Sequence, residues 1–494
     1  MQNDKLYLGV DVGTSSVKLI LVDEECKILG QESERYVLNS PETGWLEIDP
    51  EIWVKSFLTA AKRLLRSAEQ GAVRRIGITG QMHTLVLMGE DGKAVLPAVM
   101  WNDLRTETMI PQIREDIRRF PDGEYLARII STGSPLANLI WVKQNRPEEF
   151  KRICSFQIGW DYLVYRLTGR HCTDYCNAST SGLFSLRGAQ WSEEIREYIG
   201  LNAAVYPECL GSLDIAGTLT EEFQAELGLP STVEILVGTG DNPATVLSTG
   251  GLWSDIPVFS MGTSGVFTRI YNGKNGASRG KKILFGFHKD SYMMLEQGAV
   301  QSCGNTYDWW NRQSGCADIY EADAVLDIRQ EVCNKVLFYP QLAGEKTLYA
   351  DPGLRGMFVG LDLNVDRNTL RYAVLEGMAF AIRELIEGMA PNIGPALKVV
   401  GGASNNSKLM QILANVTNRK IEKLNGMSGA VYGIAYMTAK ADQPEQIRTV
   451  TSRNFGVKAI YEPFVDIQEQ INKKYDCYCR MRRAIHYIYG EQDL

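Results

Sequence analysis

Leu6, Leu8, Val10 and Val12, then Val17, Leu19 and Leu21, form two apolar runs joined at Gly13-Thr14-Ser15-Ser16. Alternation on both sides of a small hydroxylated turn predicts a β-hairpin entering a core. The pattern returns in "PVFSMGTSGVFTRI", where an apolar run meets Gly262-Thr263-Ser264-Gly265 and a second apolar run follows. Elsewhere strand-like runs such as "VRRIGIT", "VEILVGT" and "ALKVVGG" alternate with longer helical patterns, the order expected of an α/β protein. In "IDPEIWVKSFLTAAKRLLRSA" Asp49 is the expected N-cap with Pro50 at the first helical position, and Trp53, Phe57, Ala60 and Leu64 make a core-facing stripe. In "RNTLRYAVLEGMAFAIRELIEGM" Leu370, Ala373, Gly377, Ala381 and Leu385 recur near helical spacing. Both stripes read as packing.

Gly13 and Gly262 lie 249 residues apart in a chain of 494. A repeat at half the chain length points to two related domains, each with one phosphate-binding turn. With 45% hydrophobic residues, the chain has ample core for two domains. The small-residue stretch between Thr239 and Gly251 is the expected boundary, dividing the chain into 1–245 and 246–494. A net charge of -7 without a basic block argues against a nucleic-acid partner. Ten scattered cysteines with no paired C-x-x-C framework read as reduced thiols of a cytoplasmic protein. "MQNDKLYLGV" has no basic region followed by an apolar stretch, and no run of about 18 apolar residues occurs, so neither export signal nor membrane span is expected.

Two acids stand out against this pattern. Asp11 sits inside an apolar strand, where a carboxylate is costly unless paired or metal-bound. The adjoining turn offers backbone N–H groups and hydroxyls to an anion. An acid able to hold a cation beside a loop able to hold phosphate fits a nucleotide–Mg²⁺ site; alone, the stretch reads equally as a hairpin turn with a capping Asp. Asp241 follows the strand "VEILVGT" and opens an expected helix, a place where open α/β sheets bind ligands, although an ordinary N-cap is the commoner use of such an acid.

"LGVDVGTSSVK", "ITGQMHTLVLM", "LPAVMWNDLRTE", "GTGDNPA", "SMGTSGV", "GMFVGLDLNVDRNTLRYAVLEGMAFAI" and "VVGGASNNSKLMQ" together resemble, in order along the whole chain, the motifs of FGGY carbohydrate kinases. "GQMH" and "WND-x-R" resemble the xylulokinase branch. The resemblance implies two ribonuclease-H-like domains of the actin/hexokinase type, with ATP and sugar meeting in an interdomain cleft that closes on its ligands. It implies that Asp11 positions Mg²⁺ while Gly13, Thr14 and Ser15 approach the terminal phosphate. Gly262, Thr263 and Ser264 would cradle the phosphates from the other side. Gly401, Gly402 and Ala403 would border the adenosine and Asn406 would touch it; without the other motifs, Gly401-Gly402 is an ordinary strand-to-helix turn. Asp241 would be the general base.

The expected sugar pocket is Gln81, Met82 and His83 with Trp101, Asn102, Asp103 and Asn242. Amide, imidazole and carboxylate groups serve hydroxyls, and Met82 and Trp101 cover carbon faces. Asp103 and Arg105 alternatively form a structural ion pair, and Trp101 alternatively belongs to the core. Thr84, Asn138, Trp160, Leu348 and Val400 depart from the family pattern and bear on the substrate. The implied activity is ATP-dependent phosphorylation of the C5 hydroxyl of D-xylulose, with ribulose, sedoheptulose, gluconate or glycerol as alternatives. Two other classes are a silent sugar sensor, against which the intact Asp11 and Asp241 argue, and an actin- or chaperone-like ATPase, in which GQMH and WND have no role. The C-terminal stretch "INKKYDCYCRMRRAIHYIYGEQDL" reads as a helix with a basic face, solvated or contacting a second copy in a homodimer; Cys477, Cys479 and His486 are weak grounds for a metal.

Overall fold

The structure, a computed structural model, describes residues 5–67, 70–254, 256–271, 279–315, 319–345, 347–349, 351, 353–425 and 429–489. The chain forms two compact units, one of residues 1–250, 282–294 and 427–453, the other of 251–281, 295–426 and 454–494. The boundary at 250/251 lies five residues beyond the expected 245/246, and two later segments, 282–294 and 427–453, belong with the first unit rather than with the C-terminal half.

In the first unit the predicted hairpin is β1 (Leu6–Val12) and β2 (Ser16–Asp23), paired antiparallel with Asp11 opposite Lys18. A third strand, β3 (Ile28–Arg35), continues the meander on the far side of β2. On the other side β1 runs parallel to β4 (Val73–Gly80). β5 (Ile215–Thr218) pairs antiparallel with β6 (Glu234–Leu236), which is parallel to β4, as is the two-residue strand β7 (Thr239–Gly240). An antiparallel meander followed by parallel strands is the ribonuclease-H-like arrangement. Helix α1 (Glu51–Leu64) buries Trp53, Phe57, Ala60 and Leu64. Its N-cap position is Pro50, one residue later than expected, while the Asp49 carboxylate still accepts from the Glu51 N–H at 3.0 Å. Helix α2 (Asp241–Ser248) follows β7 directly.

The second unit repeats the theme. β8 (Val258–Met261) and β9 (Gly265–Tyr271) form the second hairpin. β8 is parallel to β10 (Ala396–Val400), which is parallel to β11 (Lys420–Leu424). Three helices matter for the site: α3 (Gly304–Gln313), α4 (Arg367–Met389) and α5 (Ser407–Thr417). α4 covers the span read from its periodicity, but it is buried on nearly every face beyond its first turn, not along one stripe. Such all-round burial marks a central helix.

The segment returning to the first unit is α6 (Ala430–Ala439), buried along most of its length. Its approach requires small residues on both sides. A Cβ on Gly9 of β1 would sit 2.7 Å from Ala435 Cβ, and one on Gly433 would sit 1.9 Å from the carbonyl oxygen of Ala244 in α2. The last helix, α7 (Gln468–Tyr489), buries Ile471, Tyr475, Tyr478, Met481 and Ile485. Nine cysteines are free thiols; Cys316 and the His486 side chain lie outside the described residues. Among the described residues no helix is long and apolar enough to cross a membrane.

Candidate functional site

Register gathers the first unit's candidates. Asp11 pairs with Thr79, which pairs with Thr239, so three parallel strands end side by side. From those ends the chain leads into Gly13–Ser15, Gln81–His83 and Asp241–Asn242. The carboxyl ends of parallel strands are where backbone N–H groups and helix starts face outward, and where ligands of such sheets bind. The first turn closes with Gly13 N–H donating to Ser16 O at 3.0 Å. Tyr36, which no sequence motif signals, donates its hydroxyl to Gly13 O and its N–H to Ser15 O at 3.1 Å. Tyr36 thus holds the turn through two of its carbonyl oxygens.

Asp241 is the first residue of α2, with Gly240 at the N-cap position, so the capping role weighed for its side chain is not the one it takes. Its Oδ1 is buried without a hydrogen-bond partner. Burial first, and then the Asp11 charge, push its carboxyl up to about 7. Burial likewise lifts Asp11 to about 6, opposed by Lys18 across the hairpin. Two carboxyl groups so poorly compensated fit a divalent cation of the Mg²⁺ type, which takes one or two carboxylates and fills its remaining positions with phosphate and water. The chain offers little beyond these two, since no group of three or more His, Cys, Asp or Glu with metal-binding placement occurs among the described residues. Beneath them the Thr239 hydroxyl donates to Asp174 Oδ2 at 2.7 Å, fixing the strand that presents Asp241.

Around these acids lies the expected sugar pocket. Gln81 is buried with both amide atoms unpartnered. Met82 is buried beside Cys176, with its sulfur 3.5 Å from the Asn242 amide nitrogen, so the two pocket predictions meet. His83 holds a left-handed backbone at φ +72°. Trp101 is not a core residue: it is 39% exposed, and its indole N–H donates to the Thr14 hydroxyl at 3.0 Å. A side chain of the loop expected to hold sugar therefore touches the turn expected to face phosphate. Thr84 buries its hydroxyl on the Trp101 N–H at 3.2 Å, and the Asn102 Oδ1 is buried and unpartnered. Asp103 is the correction. Its carboxylate accepts from Leu46 N–H at 2.6 Å, Arg105 N–H at 2.8 Å, and Arg105 Nε and Nη2 at 2.9 Å each. Four donors saturate it, so it takes the structural alternative and holds Arg105 between the Trp45 and Trp141 rings.

The second unit's candidates also converge. A cavity of about 320 Å³ is lined by the Gly262–Thr263 turn, by Gly402, Ala403 and Asn406, and by Gly304, Tyr307 and Asp308 of α3. The last three carry no sequence signal. The start of α3 locks the turn through Gly304 N–H to Gly262 O and Asn305 N–H to Thr263 O, both 3.0 Å. Gly401 has φ +97°, and a Cβ there would stand 2.5 Å from Met261 O. Only glycine serves at that bend. Asn406 caps α5, its Oδ1 accepting from Leu409 N–H at 3.1 Å. His288, at the end of a strand, pairs with Asp214 at 3.2 Å on the surface of the first unit.

Sequence profiles of the FGGY family of carbohydrate kinases match the chain twice, its N-terminal domain over residues 6–248 and its C-terminal domain over 258–441. A xylulose kinase from Staphylococcus xylosus is 32% identical over 443 residues, 88% of this chain and 91% of that one. A glycerol kinase from Thermococcus gammatolerans is 28% identical over 476 residues, 94% of each chain. The solved structure of a xyloylose kinase from Brucella ovis aligns with a TM-score of 0.86 at 28% identity, covering 98% of this chain and 100% of that one.

Proposed function

The chain belongs to the FGGY family of carbohydrate kinases, and from that premise we propose that it transfers the terminal phosphoryl group of ATP to the C5 hydroxyl of D-xylulose. The observation carrying this reading is the convergence of Asp11, Gln81 and Asp241 at three adjacent strand ends, with unpartnered polar atoms and a base lifted to about 7.

Asp241 is the general base in this reading. Near neutral pH its raised carboxyl matches the medium, which favours proton acceptance from an alcohol. Phosphoryl transfer is loose, so holding the hydroxyl in line and stabilising charge carry most of the barrier. Gln81, Met82, His83, Trp101, Asn102 and Asn242 hold the sugar; the unpartnered Gln81 amide accepts from and donates to hydroxyls and the unpartnered Asn102 Oδ1 accepts, while Met82 and Trp101 cover carbon. Thr14 and Ser15 face the terminal phosphate with backbone N–H groups and hydroxyls while Gly13, whose own N–H closes the turn, lets the phosphate approach, and the Gly262–Ser264 turn holds the phosphates of the nucleotide. Gly401, Gly402 and Ala403 give the adenosine room. Asp11, with Asp241 nearby, would hold Mg²⁺, which neutralises phosphate charge when bound. Nine reduced thiols agree with a cytoplasmic enzyme.

The glycerol kinase relative keeps a second reading open, a polyol or another ketose as acceptor. ADP release measured with xylulose, ribulose, sedoheptulose, gluconate and glycerol, on the natural protein and on Asp241→Ala, tests both. Xylulose is expected to give the highest kcat/KM, and the variant to lose sugar-dependent ADP release while still binding nucleotide. Sugar binding without ATP consumption would favour the sensor, and sugar-independent ATP turnover a protein-directed ATPase.

A further inference from the structure

Behind the cavity of the second unit lies a buried charged network that no step above uses. Asp323 and Arg371 are 3% and 1% exposed and pair at 2.8 Å. Arg371 comes from the central helix α4 and also reaches Asn311 Oδ1 at 3.3 Å. The other oxygen of Asp323 accepts the Tyr307 hydroxyl and the Asn406 amide. Asn406 Nδ2 also donates to the Tyr307 oxygen at 3.0 Å.

Counting hydrogens shows what this does. Tyr307 has one O–H, and it is given to Asp323. Asn406 has two N–H groups, and they go to Asp323 and Tyr307. What these side chains have left are lone pairs, one on the Tyr307 oxygen and one on Asn406 Oδ1, whose other lone pair caps α5. Asp308, exposed on the same cavity, adds a carboxylate that only accepts. The Asn406 amide cannot turn over without facing its oxygen to the Asp323 carboxylate.

We propose that Asp323, anchored by Arg371, is a positioning residue that takes up the donor hydrogens of Tyr307 and Asn406, so that this wall of the cavity presents acceptors and selects a purine bearing an amino group over one bearing a carbonyl. The proposal rests on the cavity's being the nucleotide pocket. A carbonyl set against acceptors leaves two buried acceptors unpaired, which corresponds to roughly tenfold or more in affinity.

The test measures dissociation constants of the natural protein for ATP, purine riboside triphosphate and ITP, then repeats them on Asp323→Asn. The natural protein is expected to bind ATP best and ITP worst, with at least about a tenfold span. The variant, whose amide can supply a donor or release those of its partners, is expected to narrow that span severalfold with sugar KM unchanged. Equal binding of ATP and ITP by the natural protein overturns the proposal, and needs no variant to fold. So does a variant that weakens ATP and ITP in equal proportion, since a merely structural role would act that way. Absence of any nucleotide binding by the natural protein would instead sink the nucleotide reading itself.

Discussion

Replacing Asp241 by asparagine separates what the residue does for the reaction from what it does to the fold. Burial and the Asp11 charge lift its carboxyl from 3.8 to about 7. An acid raised on folding destabilises the folded chain once pH passes the unfolded value, and the penalty grows until pH passes the folded one. Each unit of displacement is worth about 1.4 kcal/mol, so the fully ionised group costs at most about 4 kcal/mol. Asp241 is not sealed from solvent, and screening brings the expected figure to about 2 kcal/mol. Asp241→Asn keeps the shape and removes the charge. It should therefore stabilise the protein by about 2 kcal/mol at pH 8, a rise of several degrees in Tm. Below about pH 4 the natural residue is protonated whether folded or not, and the gain should vanish. Turnover should meanwhile fall by about two to four orders of magnitude, the span of a general base, with ATP affinity within about threefold. Calorimetric unfolding at several pH values between 4 and 8, beside coupled ADP release at pH 8, reads both. A stability change independent of pH would refute the electrostatic account, and undiminished turnover would remove Asp241 from its assigned role.

Three further substitutions address the neighbours. Trp101→Phe removes the indole donor to Thr14, a loss of about 1 kcal/mol, and should lower kcat/KM for sugar about fivefold; no change in steady-state kinetics would mean the contact is idle. Asp103→Asn leaves the Arg105 guanidinium buried with Glu47 as its remaining acid; unfolding in urea should show a loss of about 3 kcal/mol with sugar KM within twofold, and a raised KM at unchanged stability would return Asp103 to the pocket. Gly401→Ala places a Cβ against Met261 O in a left-handed bend, so titration calorimetry should find ATP bound at least about tenfold more weakly and sugar binding unaltered; unaltered ATP binding would mean the bend does not shape the nucleotide pocket.

The hairpins, α1 and α4 were legible because each is built from neighbours in sequence, where alternation and helical spacing speak directly. Asp11 was legible because an acid among apolar residues has few uses. The return of α6 to the first unit was not legible: its contacts join Ala435 to Gly9 and Gly433 to Ala244, across some 190 residues or more. Its own composition says only that it is buried, never against what. Tyr36 and Tyr307 escaped for the same reason, since each meets its turn or cavity through the fold and not through a motif. Asp103 shows the converse limit. Its pairing with Arg105 is local and was foreseen as one alternative, yet the choice depended on Leu46, Trp45 and Trp141, which sequence does not bring near.

The doubled hairpin is informative chiefly through its inequalities. In the first unit the residue two before the turn glycine is Asp11, facing Lys18; in the second it is Ser260, facing Val266. The acid, and with it the proposed cation site, is confined to one copy. Opposite these residues the next parallel strand carries Thr79, leading into Gly80-Gln81-Met82-His83, in the first unit and Val400, leading into Gly401-Gly402-Ala403-Ser404, in the second. At matching places one copy sets out amide, thioether and imidazole while the other sets out almost no side chain. On the proposed function those are the needs of two different ligands, since a sugar is recognised by directed hydrogen bonds to its hydroxyls and a nucleoside first requires clearance for its ring. Exchanging "QMH" for the small residues of the other copy should therefore abolish sugar binding while leaving ATP bound, and a chimera that still binds sugar would show that the recognition lies elsewhere.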